Sequence, residues 1–192
     1  MHTWTRCVGT ARRGGSPVTT PPGLVTWVVV SAAPPATRIH EFLSLLHADP
    51  QLLVVVTTPT AATWIDENQV RTFTAWPVRH VQRSANEPRS YPSPNLVVAL
   101  PLTFNTINKW AAGINDNVAL GVLNEALGAR IPIVASPFVK TSLAAHPAFS
   151  RSLEILTSAG VRLTATNAIK SAHAVGRYEW HAVLDLIREI LD

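Results

Sequence analysis

The segment of this sequence best suited to chemistry is residues 101–106, which read PLTFNT and directly follow an apolar run. The run predicts a strand that is buried on both faces, and Pro101 is expected to stop it because proline lacks a backbone N–H. Thr103 or Asn105 can then cap a helix over about 105–112. Backbone amides at a helix start suit an anion or the electron-rich edge of a ring, so this turn is a candidate ligand site.

Strands and helices alternate along the chain. Continuous apolar runs predict strands at 25–30, 52–56, 95–100, 131–135 and 161–165, and two weaker patterns favour strands at 70–74 and 78–81. Helical spacing and end signals predict a first helix that starts at 39 and ends near 49–50, and further helices at 58–65, 105–112, 116–127, 149–159 and 180–191. This alternation predicts an α/β fold, a three-layer Rossmann-like parallel sheet with helices on both faces. Ligands in such folds bind outside the carboxyl ends of the strands.

Length and composition indicate how the chain is organised. Of 192 residues, 47% are hydrophobic and 15% are charged, which favours one domain at 24–192 and an oligomeric assembly that covers part of its surface. Residues 1–23 are rich in Gly, Pro, Thr and Arg and predict a disordered basic tail. Three arginines of this tail, with no acid to offset them, account for most of the net charge of +4. No basic stripe interleaved with aromatic residues is present, so nucleic acid is not an expected partner.

Several functional classes lack their sequence signals. The only cysteine is Cys7, which excludes an intramolecular disulfide and a cysteine-based zinc site, and the seven histidines are scattered, so no metal site is expected. No apolar run reaches the roughly 20 residues that span a bilayer, and no signal-peptide core is found. We therefore expect a cytoplasmic protein that does not enter the membrane. Gly-rich dinucleotide, Walker and nucleophile-elbow motifs are also missing.

Residues 101–117 read PLTFNTINKWAAGINDN and resemble the PASANT motif and following helix of the homo-oligomeric flavin-containing cysteine decarboxylases. The chain looks most similar to the branch that acts on the C-terminal cysteine of lantibiotic precursor peptides. The resemblance extends over about 25–191. Weaker matches occur at Pro137, Pro147, Leu156, Gly160, Val161 and the GRY sequence at 176–178.

The resemblance implies an FMN site at the carboxyl edge of the sheet. The residues implied to bind FMN follow three strands, and they are Ser31, Ala33, Pro34, Thr58, Trp64, Pro101, Leu102, Thr103 and Phe104. The first loop would face the phosphate, and the segment after the third strand would line the isoalloxazine. Asn105 is the residue that the resemblance ties most closely to catalysis.

The reaction implied by the resemblance is oxidative decarboxylation of the C-terminal cysteine of a ribosomal precursor peptide. FMN takes a hydride from the cysteine Cβ, the resulting thioaldehyde accepts electrons as CO₂ leaves, and an enethiol is formed. The enethiol would feed aminovinyl-cysteine formation in lanthipeptide biosynthesis. The implied partners are the precursor peptide and other peptide-modifying enzymes, with FMN sites formed between subunits of a homotrimer or dodecamer.

Three positions depart from the family pattern. Glu87 stands where the family has its base histidine, and His80 is the closest histidine upstream, so either residue is a candidate base. Lys140 replaces the asparagine that binds the substrate carboxylate, and lysine can hold a carboxylate as a point charge. Residues 31–35, SAAPP, replace the glycine and serine of the first loop. Further substrate contacts are implied for His173, Arg177 and Tyr178.

The residues leave other functions open. Phosphopantothenoylcysteine decarboxylases reduce the enethiol with the help of a cysteine, and because this chain has only Cys7, a peptide substrate fits better. A prenylated-flavin synthase shares the fold, but its glycine-rich first loop is not found. The missing histidine and the altered substrate motif would also suit a degenerate family member that acts as a binding or regulatory subunit.

Overall fold

The computed structural model of the chain describes residues 23–47, 51–84, 86, 91–171 and 176–192. The predicted tail up to residue 22 lies outside the described residues, and so do two candidate site residues, Glu87 and His173.

The centre of the molecule is a parallel five-stranded sheet with the strand order β2-β1-β3-β4-β5. The strands are β1 (Leu24–Val30), β2 (Gln51–Thr57), β3 (Leu96–Leu102), β4 (Ile133–Pro137) and β5 (Arg162–Leu163). In β1, every residue from Val25 to Val30 is buried, as expected for a strand that is covered on both faces. The predicted α/β class and its parallel sheet are confirmed.

Helices connect the strands. They are α1 (Ile39–Leu46), α2 (Pro59–Ala62), α3 (Glu67–Val70), α4 (Phe104–Ala111), α5 (Val118–Gly128), α6 (Thr141–Ala144), α7 (Pro147–Ser158) and α8 (His181–Leu191), with a 3-10 helix at Pro34–Arg38. Side-chain oxygens of Thr58, Thr103 and Asn117 accept backbone N–H groups at the starts of α2, α4 and α5. These caps fix where three helices begin.

The sheet separates two apolar layers because successive side chains of a strand point to opposite faces. Trp27 and Val29 of β1 pack with α4, α5 and α7, in a cluster that includes Trp110. Val28 and Val30 pack on the other face with α1 and α8, in a cluster that includes Phe42. Helices α1 and α4, which follow β1 and β3, therefore cover opposite faces of the sheet.

Two predicted strands and one strand end were wrong. The region 70–74 is not a strand, because the Asp66 carboxylate accepts the Asn68 and Gln69 amides and starts α3, which ends at Val70. The chain then turns, and the Phe73 amide donates to the Val70 carbonyl at 3.0 Å. The region 78–81 contributes one parallel bridge, between Arg79 and Val56 at the edge of β2. Pro101 does not stop β3, which continues to Leu102.

The hydrogen bonds around Pro101 explain why β3 continues beyond this proline. Pro101 has no N–H to give to the ladder, and the register between β3 and β4 shifts between Ala99 and Leu102. Pairing then resumes, since the Phe138 amide donates to the Leu102 carbonyl over 2.8 Å. The Pro101 carbonyl accepts instead from the Ser31 amide at 3.1 Å. The proline thus links the loop after β1 to the end of β3.

Candidate functional site

The candidate site lies where the strand order reverses, between the carboxyl ends of β1 and β3. From β1 the chain crosses to β2 on one side, whereas β3 and β4 continue on the other side. The helices that follow β1 and β3 cover opposite faces, so the two loops diverge and leave a crevice. Such a switch point is the general ligand position in open parallel sheets.

A chain of three hydroxyl groups crosses this switch point. The Ser31 hydroxyl donates to Thr106 Oγ1 over 3.1 Å, and Thr106 Oγ1 lies 3.0 Å from Thr103 Oγ1. Ser31 and Thr106 are buried, with 1% and 3% of their surfaces exposed. Thr106 was not among the predicted site residues. The signal that could have found it is a hydroxyl one helical turn after the capping threonine.

Thr103 forms the outer end of the chain of hydroxyl groups. Thr103 Oγ1 accepts from the Thr106 amide at 3.3 Å. In the 3.0 Å contact between Thr103 Oγ1 and Thr106 Oγ1, either hydroxyl can be the donor. When Thr106 donates, the Thr103 hydroxyl hydrogen can be given to a ligand in the crevice.

Helix α4 presents backbone donors at the same place. Thr103 caps the helix, and the Thr106 and Ile107 amides bond back to it. The amides of Phe104 and Asn105 precede the first intrahelical bond, as at every helix start. The Asn105 side chain is exposed. This end of α4 can therefore hold an anion or an electron-rich ring edge.

The loop after β1 offers few backbone donors. The Ala33 amide donates to the Ser31 carbonyl and the Ala36 amide to the Ala33 carbonyl, both within the turn. Pro34 and Pro35 begin the 3-10 helix and have no N–H. Of the implied phosphate contacts, Ala33 is buried and Pro34 is exposed. The hydroxyls and the start of α4 provide more donors than this loop.

The loop after β2 places a hydroxyl and an aromatic ring beside the crevice. The Thr58 amide donates to the Val30 carbonyl at 2.9 Å, so Thr58 lies next to the end of β1. Its hydroxyl oxygen caps α2. Trp64, just after α2, is 43% exposed, an unusual environment for so large an apolar side chain. An exposed indole can pack against a flat ring system.

The predicted contacts Leu102 and Phe104 have different surroundings. Leu102 is fully buried, so it can offer a ligand only its backbone. The Phe104 ring is half-buried and packs edge-on against His146, with ring centroids 5.6 Å apart, and against Phe149 at 6.2 Å. In this structure Phe104 therefore holds the start of α4 against α7.

The loop after β4 is fixed by a residue that sequence reasoning missed. Asn167 accepts from the Val139 amide at 2.8 Å and donates to the Val139 carbonyl at 2.9 Å. Its φ of 62° lies in the left-handed region, which asparagine tolerates better than most residues. Lys140, the next residue after Val139, is exposed at the start of α6.

The predicted substrate residues 177 and 178 lie at the same end of the sheet. The Tyr178 ring packs edge-on against Phe138 with centroids 6.1 Å apart, which places it beside the loop after β4. Arg177 is exposed. The structure thus brings Tyr178 to the neighbourhood of Lys140, through Phe138.

His80 lies elsewhere. It lines a cavity of about 430 Å³ on the flank of the sheet, next to Arg79 and the edge of β2. No other predicted site residue in the described chain lines that cavity. The structure therefore does not place His80 beside Asn105 within this chain.

Among the described residues, one titratable group has a clearly shifted pKa. A hydrogen bond from the Lys109 ammonium lowers the pKa of the Asp116 carboxyl, and the Asn117 amide group also donates to it. The pair joins the end of α4 to the start of α5. In the described part of the chain, no cluster of three metal-ligating residues is found, and no helix is long and apolar enough to span a membrane.

Comparison with known proteins identifies similar sequences and folds. A model of the Flavoprotein family matches residues 23–192. A cysteine/cysteine sulfinic acid decarboxylase from an unknown prokaryotic organism is 33% identical over 98 residues, which are 50% of this chain and 26% of that protein. This chain therefore spans only part of the length of that relative.

Solved structures share the fold over most of the chain. The FMN-dependent cysteine decarboxylase TvaF from thioviridamide biosynthesis is 19% identical, with a TM-score of 0.67 over 88% of this chain and 99% of TvaF. A PPC decarboxylase bound to pantothenoylaminoethenethiol is 19% identical, with a TM-score of 0.68 over 88% and 98% of the two chains. The epidermin biosynthesis protein EpiD from Staphylococcus aureus is 18% identical, with a TM-score of 0.65 over 84% and 99%.

Proposed function

Because the chain belongs to the Flavoprotein family, we propose that it binds FMN at the crevice between β1 and β3 and uses it to decarboxylate a substrate that ends in cysteine. The observation that carries the proposal is the exposed Asn105 at the start of α4, beside the hydroxyl chain from Ser31 to Thr103. Proteins of similar fold that are named as FMN-dependent cysteine decarboxylases, such as TvaF, support the proposal.

The residues of the crevice fit a flavin. The free amides of α4 and the Thr103 hydroxyl are donors, and donors suit the carbonyl-bearing edge of an isoalloxazine or a phosphate. The exposed Trp64 supplies an apolar surface for a flat ring. When bound, FMN supplies a two-electron oxidation that gives a cysteine carboxylate an electron sink.

The chain's own side chains bind and orient the substrate in this proposal. Asn105 hydrogen-bonds the reacting end of the cysteine beside α4. Lys140 in the loop after β4 and Arg177 in the segment after β5 are exposed cations, and we assign them to the substrate carboxylate. Tyr178 packs against Phe138 and covers the substrate on the side of the loop after β4.

Proton removal is assigned to one of two groups. Glu87 lies outside the described residues, and His80 lines the flank cavity of this chain. A base must come within hydrogen-bond reach of the proton it takes. His80 can satisfy this requirement if a neighbouring subunit supplies the crevice, which agrees with our proposal that the protein is a homotrimer or dodecamer.

The substrate we favour is a ribosomal precursor peptide with a C-terminal cysteine. The product would be an enethiol that peptide-modifying enzymes convert into an aminovinyl-cysteine crosslink, as in lanthipeptide pathways. Two proteins of similar fold, TvaF and EpiD, are named for thioviridamide and epidermin biosynthesis, and EpiD is named a peptidyl-cysteine decarboxylase. A PPC decarboxylase is equally similar in fold, so phosphopantothenoylcysteine is the alternative substrate to compare.

The test uses FMN-loaded protein and two peptides that differ only in ending in cysteine or serine. We expect the cysteine peptide to lose the mass of one CO₂ and two hydrogens, and the serine peptide to stay unchanged. Asn105→Ala is expected to slow the reaction about a hundredfold, the usual effect of losing one positioned donor. The matched control is Asn68→Ala, at an exposed position on α3.

Two results would oppose the proposal. The first is an unchanged cysteine peptide in the presence of the flavin-loaded wild-type protein, with phosphopantothenoylcysteine also unchanged. The second is an Asn105→Ala variant as fast as Asn68→Ala. Conversion of phosphopantothenoylcysteine alone would keep the decarboxylase and reject the peptide substrate.

A further inference from the structure

The flank cavity has no part in the reaction proposed above except through His80. It has a volume of about 430 Å³, within the usual range of small-molecule sites. Its walls are formed by the segments at 78–83 and 91–94, together with Trp27 of β1 and Glu125 of α5. The cavity therefore lies beside the edge strand β2, on the face of the sheet that α5 covers.

Arg79 is a firmly held charge in this cavity. Its amide donates to the Val55 carbonyl and its carbonyl accepts from the Thr57 amide, both over 2.9 Å, so its backbone is fixed to β2. Its guanidinium lies 5.9 Å from the ring centroid of Trp27 and 5.6 Å from that of Tyr91. Both distances fit cation–π contacts.

The Trp27 and Tyr91 rings are themselves held in place by further contacts. The Trp27 indole N–H donates to the Pro92 carbonyl at 3.0 Å, and Trp27 meets Tyr91 edge-on with centroids 6.1 Å apart. Trp27 is only 7% exposed. The guanidinium therefore occupies a preformed position, which lowers the entropy lost when it binds a ligand.

The charge of Arg79 is not balanced by an acid of the described chain. The ion pairs found among the described residues are Arg38–Glu41, Lys109–Asp116 and Asp185–Arg188. Glu125 shares the cavity but makes no ion pair with Arg79. An arginine stays protonated in proteins, so this half-buried guanidinium keeps its charge and its hydrogen-bond donors.

We propose that the cavity binds a small carboxylate-bearing molecule, with its carboxylate on Arg79 and its apolar part against Trp27, Val78 and Pro92. The guanidinium carbon lies within 5.9 Å of both ring centroids, and the N–H donors of an arginine match a planar carboxylate in a bidentate manner. Glu125 on the same wall repels a doubly charged phosphate more strongly than a singly charged carboxylate. This binding does not require FMN or the decarboxylase activity.

The probe is 3-phenylpropionate, titrated calorimetrically into the FMN-loaded protein, with 3-phenylpropanol and inorganic phosphate as comparison ligands. Saturable binding of 3-phenylpropionate with a Kd at or below about 1 mM is expected. The alcohol, which lacks the charge, is expected to bind at least about tenfold more weakly. The titration is repeated without FMN, where the same affinity is expected, so a failure of the proposed function leaves this test intact.

Variants locate the binding. Arg79→Gln should weaken 3-phenylpropionate binding at least about tenfold. Arg79→Lys should weaken it less, because lysine keeps the positive charge but loses the bidentate arrangement of N–H donors. Arg151→Gln, at an exposed position of α7, is the matched control and should bind as the wild type does. Circular dichroism confirms that each variant is folded.

Three results would overturn the proposal. One is the absence of saturable 3-phenylpropionate binding to the wild-type protein. Another is inorganic phosphate binding as tightly as the carboxylate. The third is unchanged 3-phenylpropionate binding in both folded Arg79 variants.

Discussion

The hydroxyl chain at the switch point makes a quantitative prediction for Thr106→Val. Valine has nearly the same shape as threonine, so the substitution removes the Thr106 hydroxyl without leaving a large cavity. Two side-chain hydrogen bonds are lost, one from Ser31 and one with Thr103. The Ser31 hydroxyl, with 1% of the residue exposed, is left without its acceptor and is out of reach of water.

The cost follows from these losses. A hydrogen bond of this kind contributes about 1 kcal/mol, and a buried group left unpaired costs about 1–3 kcal/mol. We therefore expect Thr106→Val to lower the free energy of unfolding by about 2 kcal/mol. For a chain of this size, that change corresponds to a Tm about 4 to 8 °C lower.

The assay is thermal unfolding followed by circular dichroism, with Thr157→Val as control. Thr157 is an exposed helical threonine on α7, and its substitution should leave the Tm almost unchanged. The double variant Ser31→Ala with Thr106→Val should be no less stable than Thr106→Val alone, since it removes the unpaired hydroxyl as well.

Two outcomes would refute the reasoning about Thr106. The first is a Tm for Thr106→Val equal to that of the Thr157→Val control. The second is a double variant whose loss equals the sum of the two single losses, because strict additivity would mean that the two hydroxyls do not interact.

The remaining predictions concern one ion pair and the base. The Lys109 hydrogen bond lowers the pKa of Asp116 in the folded protein, so its stabilisation is present above the ordinary value of 3.8 and is lost as the pH falls through the lowered value. Asp116→Asn should therefore lower the Tm slightly at neutral pH, and the difference from wild type should vanish well below pH 3.8; a difference that grows with acid would contradict this sign. For the base, Glu87→Gln and His80→Ala should differ in rate by mass-detected peptide turnover, and if neither slows it by about tenfold, both assignments are wrong.

Much of the fold could be predicted because the strands are almost purely apolar. In β3, all seven residues are buried, and the run at 95–100 predicts it within two residues. Harder to predict was the stretch after α2, where Asp66 starts a helix and Arg79 makes one bridge to β2. The apolar residues of that stretch are scattered and form no continuous run like those of the buried strands, so local capping and a single edge contact decided its structure.

The site could be predicted in part. The motif that begins at Pro101 identified the family, which the Flavoprotein match confirms, and it located the turn at the start of α4. Thr106 and Asn167 were missed because their roles depend on partners distant in sequence. Ser31 lies 75 residues before Thr106, and Val139 lies 28 residues before Asn167, and one sequence alone does not show either pairing.

The most direct test of the central claim is an anaerobic titration of the FMN-loaded protein with a peptide that ends in cysteine, followed by absorption and mass spectrometry. We predict that the visible flavin absorption is bleached in proportion to added peptide, while the peptide loses the mass of one CO₂ and two hydrogens. An FMN-loaded protein whose absorption and peptide mass both stay unchanged would contradict the account, and so would a protein that takes up no FMN.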